Sequence, residues 1–189
     1  LPAALGGPAP LRYGAYPMFE AQRTLRQAGA QVLGAEGLPF FDLGNADVVF
    51  SFGANFLETW LSPVAFARGF ARMRRGRTGR RGFLVQFEPR RSQTGATADE
   101  WIPVIPGSEA LLAAALGRLT AEARGGLLPA AFRDVDVEAA AQASGVSVET
   151  LTRLAGVFAA ADHPLAIPGG AALGQSNGLE TALNVLTLN

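Results

Sequence analysis

The chain has 189 residues, 49% of them apolar, with no net charge and a mean hydropathy of +0.20. That balance excludes wholesale disorder, and no apolar run reaches the ~18 residues of a transmembrane helix. The absence of cysteine and the presence of one histidine, His163, exclude disulfides, thiolate or multi-histidine metal sites, iron–sulfur ligation and cysteine nucleophiles in this segment.

In chain order, residues 1–16 are rich in Gly, Pro and Ala and read as irregular. They show neither an initiator Met nor a basic region before an apolar one, which reads as a cut inside a longer gene product rather than a signal peptide. Pro17 to Ala30 predicts a helix on the spacing of Phe19, Leu25 and Ala28. Asp47 to Phe52 is a short apolar run ending at Gly53, the pattern of a strand buried on both faces of a parallel sheet. Ser62 and Pro63 start a helix, a capping hydroxyl followed by proline at the first helical position, running to about Arg75 with Val64, Ala67, Phe70 and Ala71 for a buried stripe. Gly82 to Glu88 is a second strand closed by Pro89, so residues 47–88 form a strand–helix–strand unit expected to pair in parallel.

Residues 89–100 read as a polar loop. Trp101 to Ile105 is extended, and its prolines suit an edge. Gly107, Ser108 and Glu109 open a strong helix bearing Leu111, Leu112, Ala115, Leu116 and Leu119. Asp134 is expected to cap a short helix over 135–143, stopped by Gly145. Ser147 caps another, with Leu151, Leu154, Ala155 and Phe158 on one face. Pro164 to Ile167 reads as a third buried strand, followed by a loop and a last helix from about Leu179, whose end at Asn189 carries no stop signal.

Five places are candidates for chemistry. The loop Gly53, Ala54, Asn55 to Thr59 sits between a strand end and a helix start, where free N–H groups and the helix dipole suit phosphate; any strand-to-helix turn shares that look. Glu88, Pro89, Arg90 and Arg91 put a carboxylate at a strand end, where dinucleotide folds hold ribose, but no GxGxxG precedes them, which disfavours an ordinary nicotinamide domain. Pro106 to Glu109 is a helix start with an acid in its first turn, also simply a good cap. Gly169 to Gly178, with Gly170 and Asn177, is a glycine loop between strand and helix, equally readable as a flexible crossover. Arg68, Arg72, Arg74, Arg75, Arg77, Arg80 and Arg81 form a basic cluster in a chain whose sixteen cations are all arginine. The chain is neutral and the distal half of the cluster lacks aromatics, so it reads as a solvated helix end or a contact within a larger subunit, and no nucleic acid partner is expected. The lack of lysine excludes a P-loop lysine and Schiff-base chemistry.

Taken in order, these pieces resemble the large subunits of molybdopterin oxidoreductases. Those carry an Ala-Asp-Val strand running into a Gly-x-Asn loop, a strand ending in Asp-Pro-Arg, a Thr-x-x-x-Ala-Asp loop, and Pro-Gly-Thr-Asp before an Ala/Leu-rich helix. The counterparts are Ala46-Asp47-Val48, Gly53-Ala54-Asn55, Glu88-Pro89-Arg90, Thr94 to Asp99, and Pro106 to Glu109. Downstream, Ser144 to Pro164 and the glycine loop 169–178 extend the likeness, which covers roughly residues 38–189. Glu88 and Glu109 stand where the family usually has Asp, and Phe56 stands where the molybdenum enzymes usually have proline. In that respect the chain looks more like the molybdopterin-enzyme-like subunits of alternative complex III and of the periplasmic menaquinone reductase complex.

The resemblance implies an α/β fold of Rossmann-like parallel sheet layers with flanking helices, in two lobes divided near Arg91: residues 1–91 and 92–189. It implies that Gly53, Ala54, Asn55, Glu88, Arg90, Gly107, Glu109, Gly170 and Asn177 hold the nucleotide part of a molybdopterin guanine dinucleotide in the full-length subunit. The alternative is a cofactor-free scaffold in a membrane-associated quinone oxidoreductase complex. Either way no catalytic or metal-ligating residue is expected in this piece. Its implied partners are the remainder of its subunit and the iron–sulfur and membrane subunits of a redox complex, and its implied location is periplasmic or membrane-associated on the outer face of the cytoplasmic membrane. An open groove between Gly53 and Glu88 favours the cofactor reading; Phe56 or Trp60 filling it favours the scaffold.

Overall fold

A computed structural model describes residues 4, 6–8, 17–75 and 81–189. Most of the irregular stretch expected over 1–16, and Arg77 and Arg80 of the basic cluster, lie outside the described residues. Four strands form one parallel sheet in the order β3–β2–β1–β4: β1 (Val48–Phe52), β2 (Phe83–Glu88), β3 (Glu100–Pro103) and β4 (Pro164–Pro168). As expected, β1 and β2 are parallel neighbours, with Phe50 opposite Val85. On its other side β1 pairs with β4, Phe50 opposite Ala166.

Strand alternation divides the side chains between two cores. Val48, Phe50, Phe52, Val85, Phe87 and Ala166 meet a layer of α4 (Glu109–Arg124), α5 (Val137–Ser144) and α6 (Val148–Ala159). Phe50 packs on Phe158 of α6 at 4.7 Å between ring centroids, and Phe52 stacks on Phe87 at 4.8 Å. On the opposite face Val49, Leu84 and Ile167 meet α1 (Pro17–Leu33) and α2 (Pro63–Arg75). The last helix, α7 (Gly178–Thr187), gives Val185 to the first core and Ala182 and Leu186 to the second. The result is the three-layer α/β arrangement that continuous apolar strands require. Arg153 of α6 ties this layer to the sheet margin by two hydrogen bonds to the Glu100 carboxylate, 2.8 and 2.6 Å. Those bonds hold the guanidinium pKa above its ordinary value.

Several expectations need correction. The division near Arg91 does not separate two sheets: β3 and β4, from beyond it, pair with β2 and β1. The Pro/Gly punctuation after β2 marks a turn, and a turn between neighbours in one sheet carries the same local signal as a linker. The buried stripe of α2 is rotated from the expected one. Val64 is 69% exposed and Ala67 and Ala71 are exposed; Phe70 of the expected stripe is half-buried against the core, and Phe66, Gly69 and Met73 are buried. Gly69 permits this, since a Cβ there would lie 3.3 Å from Leu43 Cβ, so the helix settles on the turn at 43–45. Asp136, not Asp134, caps α5, accepting from the Ala139 N–H at 2.9 Å. The polar loop over 89–100 contains a short helix, α3 (Gln93–Thr97), capped by Ser92. In α4, Leu111 is exposed whereas Leu112, Ala113, Ala115 and Leu116 are buried, because helices pack on more than one side of it.

Candidate functional site at the carboxyl ends of the strands

The order β3–β2–β1–β4 reverses between β1 and β4, and in open α/β sheets a ligand crevice lies outside the strand carboxyl ends at such a point. All nine candidate residues are in the segments that leave these ends. After Phe52 the chain turns through Gly53 at φ +71°. The Asn55 carbonyl then accepts from the N–H groups of Glu58, Thr59 and Trp60 at 3.0, 3.1 and 3.2 Å, winding the loop into a tight turn. The turn drives Phe56 fully into the core beside Phe66 and Phe70, with centroids at 6.3 and 6.0 Å. Trp60 is buried against Phe41 and Phe66 at 5.5 and 5.1 Å.

The loop after β4 lies directly against this turn. A Cβ on Gly170, which sits at φ +62°, would come 2.1 Å from the Gly53 carbonyl oxygen. One on Gly169 would come 2.6 Å from Trp60 Nε1 and 2.7 Å from Ala54 Cβ. The glycines are thus required so that two backbones can touch.

Glu88 is only 3% exposed. Its carboxylate accepts from the Ser92 N–H at 2.7 Å and from Gln86 Nε2 at 3.1 Å. Its Oε1 also lies 2.2 Å from where a Gly95 Cβ would stand. Two further bonds lace α3 to the loop after β1: the Leu57 N–H donates to Thr94 Oγ1 at 3.2 Å, and the Gln93 N–H donates to the Glu58 carboxylate. Arg90 and Arg91 are exposed, with the Arg91 guanidinium 5.8 Å from the Trp101 ring.

Gly107, Glu109 and Asn177 are brought together. Glu109, 2% exposed, accepts from the Gly107 N–H at 2.7 Å, and Asn177 Nδ2 donates to the Gly107 carbonyl at 2.7 Å. Asn184 Nδ2 adds a bond to the Ala110 carbonyl at 3.0 Å. Sequence reasoning named Thr94 only as part of a family motif and missed Ser92, Gln86 and Asn184. Only Ser92 had a local signal, a hydroxyl three residues before the N–H it caps; the others act across the fold.

Between Gly53 and Gly170 there is no room for even a methyl group. Of the two acids best placed for ribose or guanine, Glu88 accepts a hydrogen bond from its own chain on each oxygen and Glu109 accepts one on Oε2. Against this, Asn55 Oδ1 is buried without a hydrogen-bond partner.

Fold and loop order together define the class: a parallel three-layer α/β unit of the kind found in molybdopterin oxidoreductase large subunits. The chain is similar to the menaquinone reductase, molybdopterin-binding-like subunit of Nitratidesulfovibrio vulgaris, 31% identical over 145 residues, 73% of this chain and 21% of that protein. It is also similar to the solved structure of acetylene hydratase from Pelobacter acetylenicus, with a TM-score of 0.67 at 18% identity over 91% of this chain and 24% of that one; at that identity the likeness is one of fold. No family profile matches the chain. The chain spans about a fifth (21%) of the length of the curated relative. The resemblance read from the motifs therefore holds in sequence and in fold.

Proposed function

We propose that this chain is a scaffold layer of a molybdopterin-oxidoreductase-like subunit, with its carboxyl-edge loops bound to one another rather than shaped around a nucleotide. The observation that carries this reading is the contact of Gly53 with Gly170, with Trp60 against the adjoining Gly169. Open α/β enzymes keep that crevice for the ligand. Here the backbones after β1 and β4 meet, with Trp60 beside Gly169, and Glu88 and Glu109 act as internal hydrogen-bond acceptors. Such a layer serves a membrane-associated quinone oxidoreductase complex on the outer face of the membrane, and its partners are the rest of its subunit and the iron–sulfur and membrane subunits. Among the described residues no helix is long and apolar enough to cross a membrane.

One observation favours the other reading, in which these loops hold the nucleotide of a molybdopterin guanine dinucleotide: the buried, unpartnered Asn55 Oδ1 in the Gly-x-Asn loop. The test is acid release of pterin and guanosine monophosphate from the full-length subunit purified in its complex, with molybdenum measured on the same sample. The scaffold reading expects all three far below one per subunit. One guanosine monophosphate per subunit, lost in the Asn55→Ala variant, overturns it.

A further inference from the structure

An outer strand of a sheet normally presents free N–H and C=O groups, a template on which another strand can pair. β4 is such a strand, and its outer edge is closed. Alternate residues of a strand turn their backbone groups to opposite neighbours. The Gly169 N–H donates to the Phe52 carbonyl at 3.0 Å, so the odd-numbered residues of β4 serve β1. Pro164, Ala166 and Pro168 then face outward. Two of these three are prolines and have no N–H to offer. The third is taken: the Ala166 N–H donates to Asn189 Oδ1 at 2.8 Å, and Asn189 Nδ2 donates back to the Ala166 carbonyl at 3.0 Å. The same Nδ2 reaches the Val185 carbonyl at 3.3 Å, which fixes the amide to α7. A single side-chain amide thus imitates one residue of a neighbouring strand, and no outward N–H of β4 is left to pair.

We infer that β4 terminates the sheet: no further strand adds at this edge, whether from elsewhere in the subunit, from a partner subunit or from a second copy. Asn189 is the positioning residue of this closure. The inference is independent of whether a cofactor is bound. It requires contacts between this layer and its surroundings to run through helical faces, loops or the β3 edge.

The experiment is hydrogen–deuterium exchange on the full-length subunit, read at the Ala166 amide. The wild type is expected to protect this amide, and Asn189→Ala to speed its exchange about tenfold, the scale of one net hydrogen bond, with the Val49 amide unchanged. Asn189→Asp, whose carboxylate accepts from the Ala166 N–H but cannot donate back, is expected to fall between them. Where Asn189→Ala loosens the whole fold and the Val49 amide also speeds up, the Asn189→Asp comparison decides. Unchanged Ala166 protection in these variants, or a strand hydrogen-bonded along residues 164–168 in the intact subunit, overturns the inference.

Discussion

The two ends of the strands have opposite characters. At the carboxyl ends the loops are laced together, with Gly53 against Gly170, Glu88 holding the Ser92 N–H, and Asn177 holding Gly107. At the amino ends the surface is hollow. A concavity of about 400 Å³ is lined by Asp47, Val48, Arg81, Phe83, Val157 and Ala160, and another of about 440 Å³ by Asp42, Arg124, His163 and Pro164. In a ligand-binding sheet of this topology the space is expected at the carboxyl end. The carboxyl edge teaches that a glycine after a strand is an ambiguous sign. Absence of a Cβ admits a phosphate or another stretch of backbone equally well, and here it admits backbone.

The contrast can be broken by mutation, and denaturant unfolding of the purified chain reads the results. Phe56→Ala removes a fully buried ring from the carboxyl-edge turn and is expected to cost about 3–5 kcal/mol. A loss under 1 kcal/mol, on the scale of an exposed site, would show that the turn is not packed as described. Gly170→Ala is expected to cost about 2–3 kcal/mol, from its positive φ and its collision with the Gly53 carbonyl. If the variant is as stable as the wild type, the loops after β1 and β4 are apart and the crevice is open. Glu88→Ala strands the Ser92 N–H and Gln86 Nε2, a predicted loss of about 1–3 kcal/mol. A gain in stability would instead mark Glu88 as an acid kept for a ligand. At the amino ends, Ala160→Leu places bulk at an exposed rim of the concavity beside Val48 and Phe83 and is expected to change stability by less than about 0.5 kcal/mol. A large loss there would remove the difference between the two edges.

Much of the architecture was legible locally. The run from Val48 to Phe52 announced a strand buried on both faces, and all five of its residues are buried. Ser147 and Gly145 marked helix ends where the structure has them, because a cap is a bond between residues three or four apart. The rotation of α2 was not legible. Its arginines and alanines leave several apolar stripes open, and Leu43 selects one by packing on Gly69. The choice between Asp134 and Asp136 as cap was likewise open, since two similar acids lie within one turn.

The candidate residues were legible as a set of loops at strand ends, but their partners were not. By itself the sequence determined the kinds of elements, their order and the parallel pairing of β1 with β2, because side-chain periodicity and capping act over a few residues. Only the tertiary structure decided that one sheet contains all four strands and that its carboxyl edge closes on itself. Thr94 meets Leu57 across 37 residues, Asn177 meets Gly107 across 70, and Asp47 meets His163 across 116. Bonds of that span depend on how layers pack around a shared core, and a glycine, an asparagine or a buried glutamate carries the same letter whether it awaits a ligand or another part of its own chain.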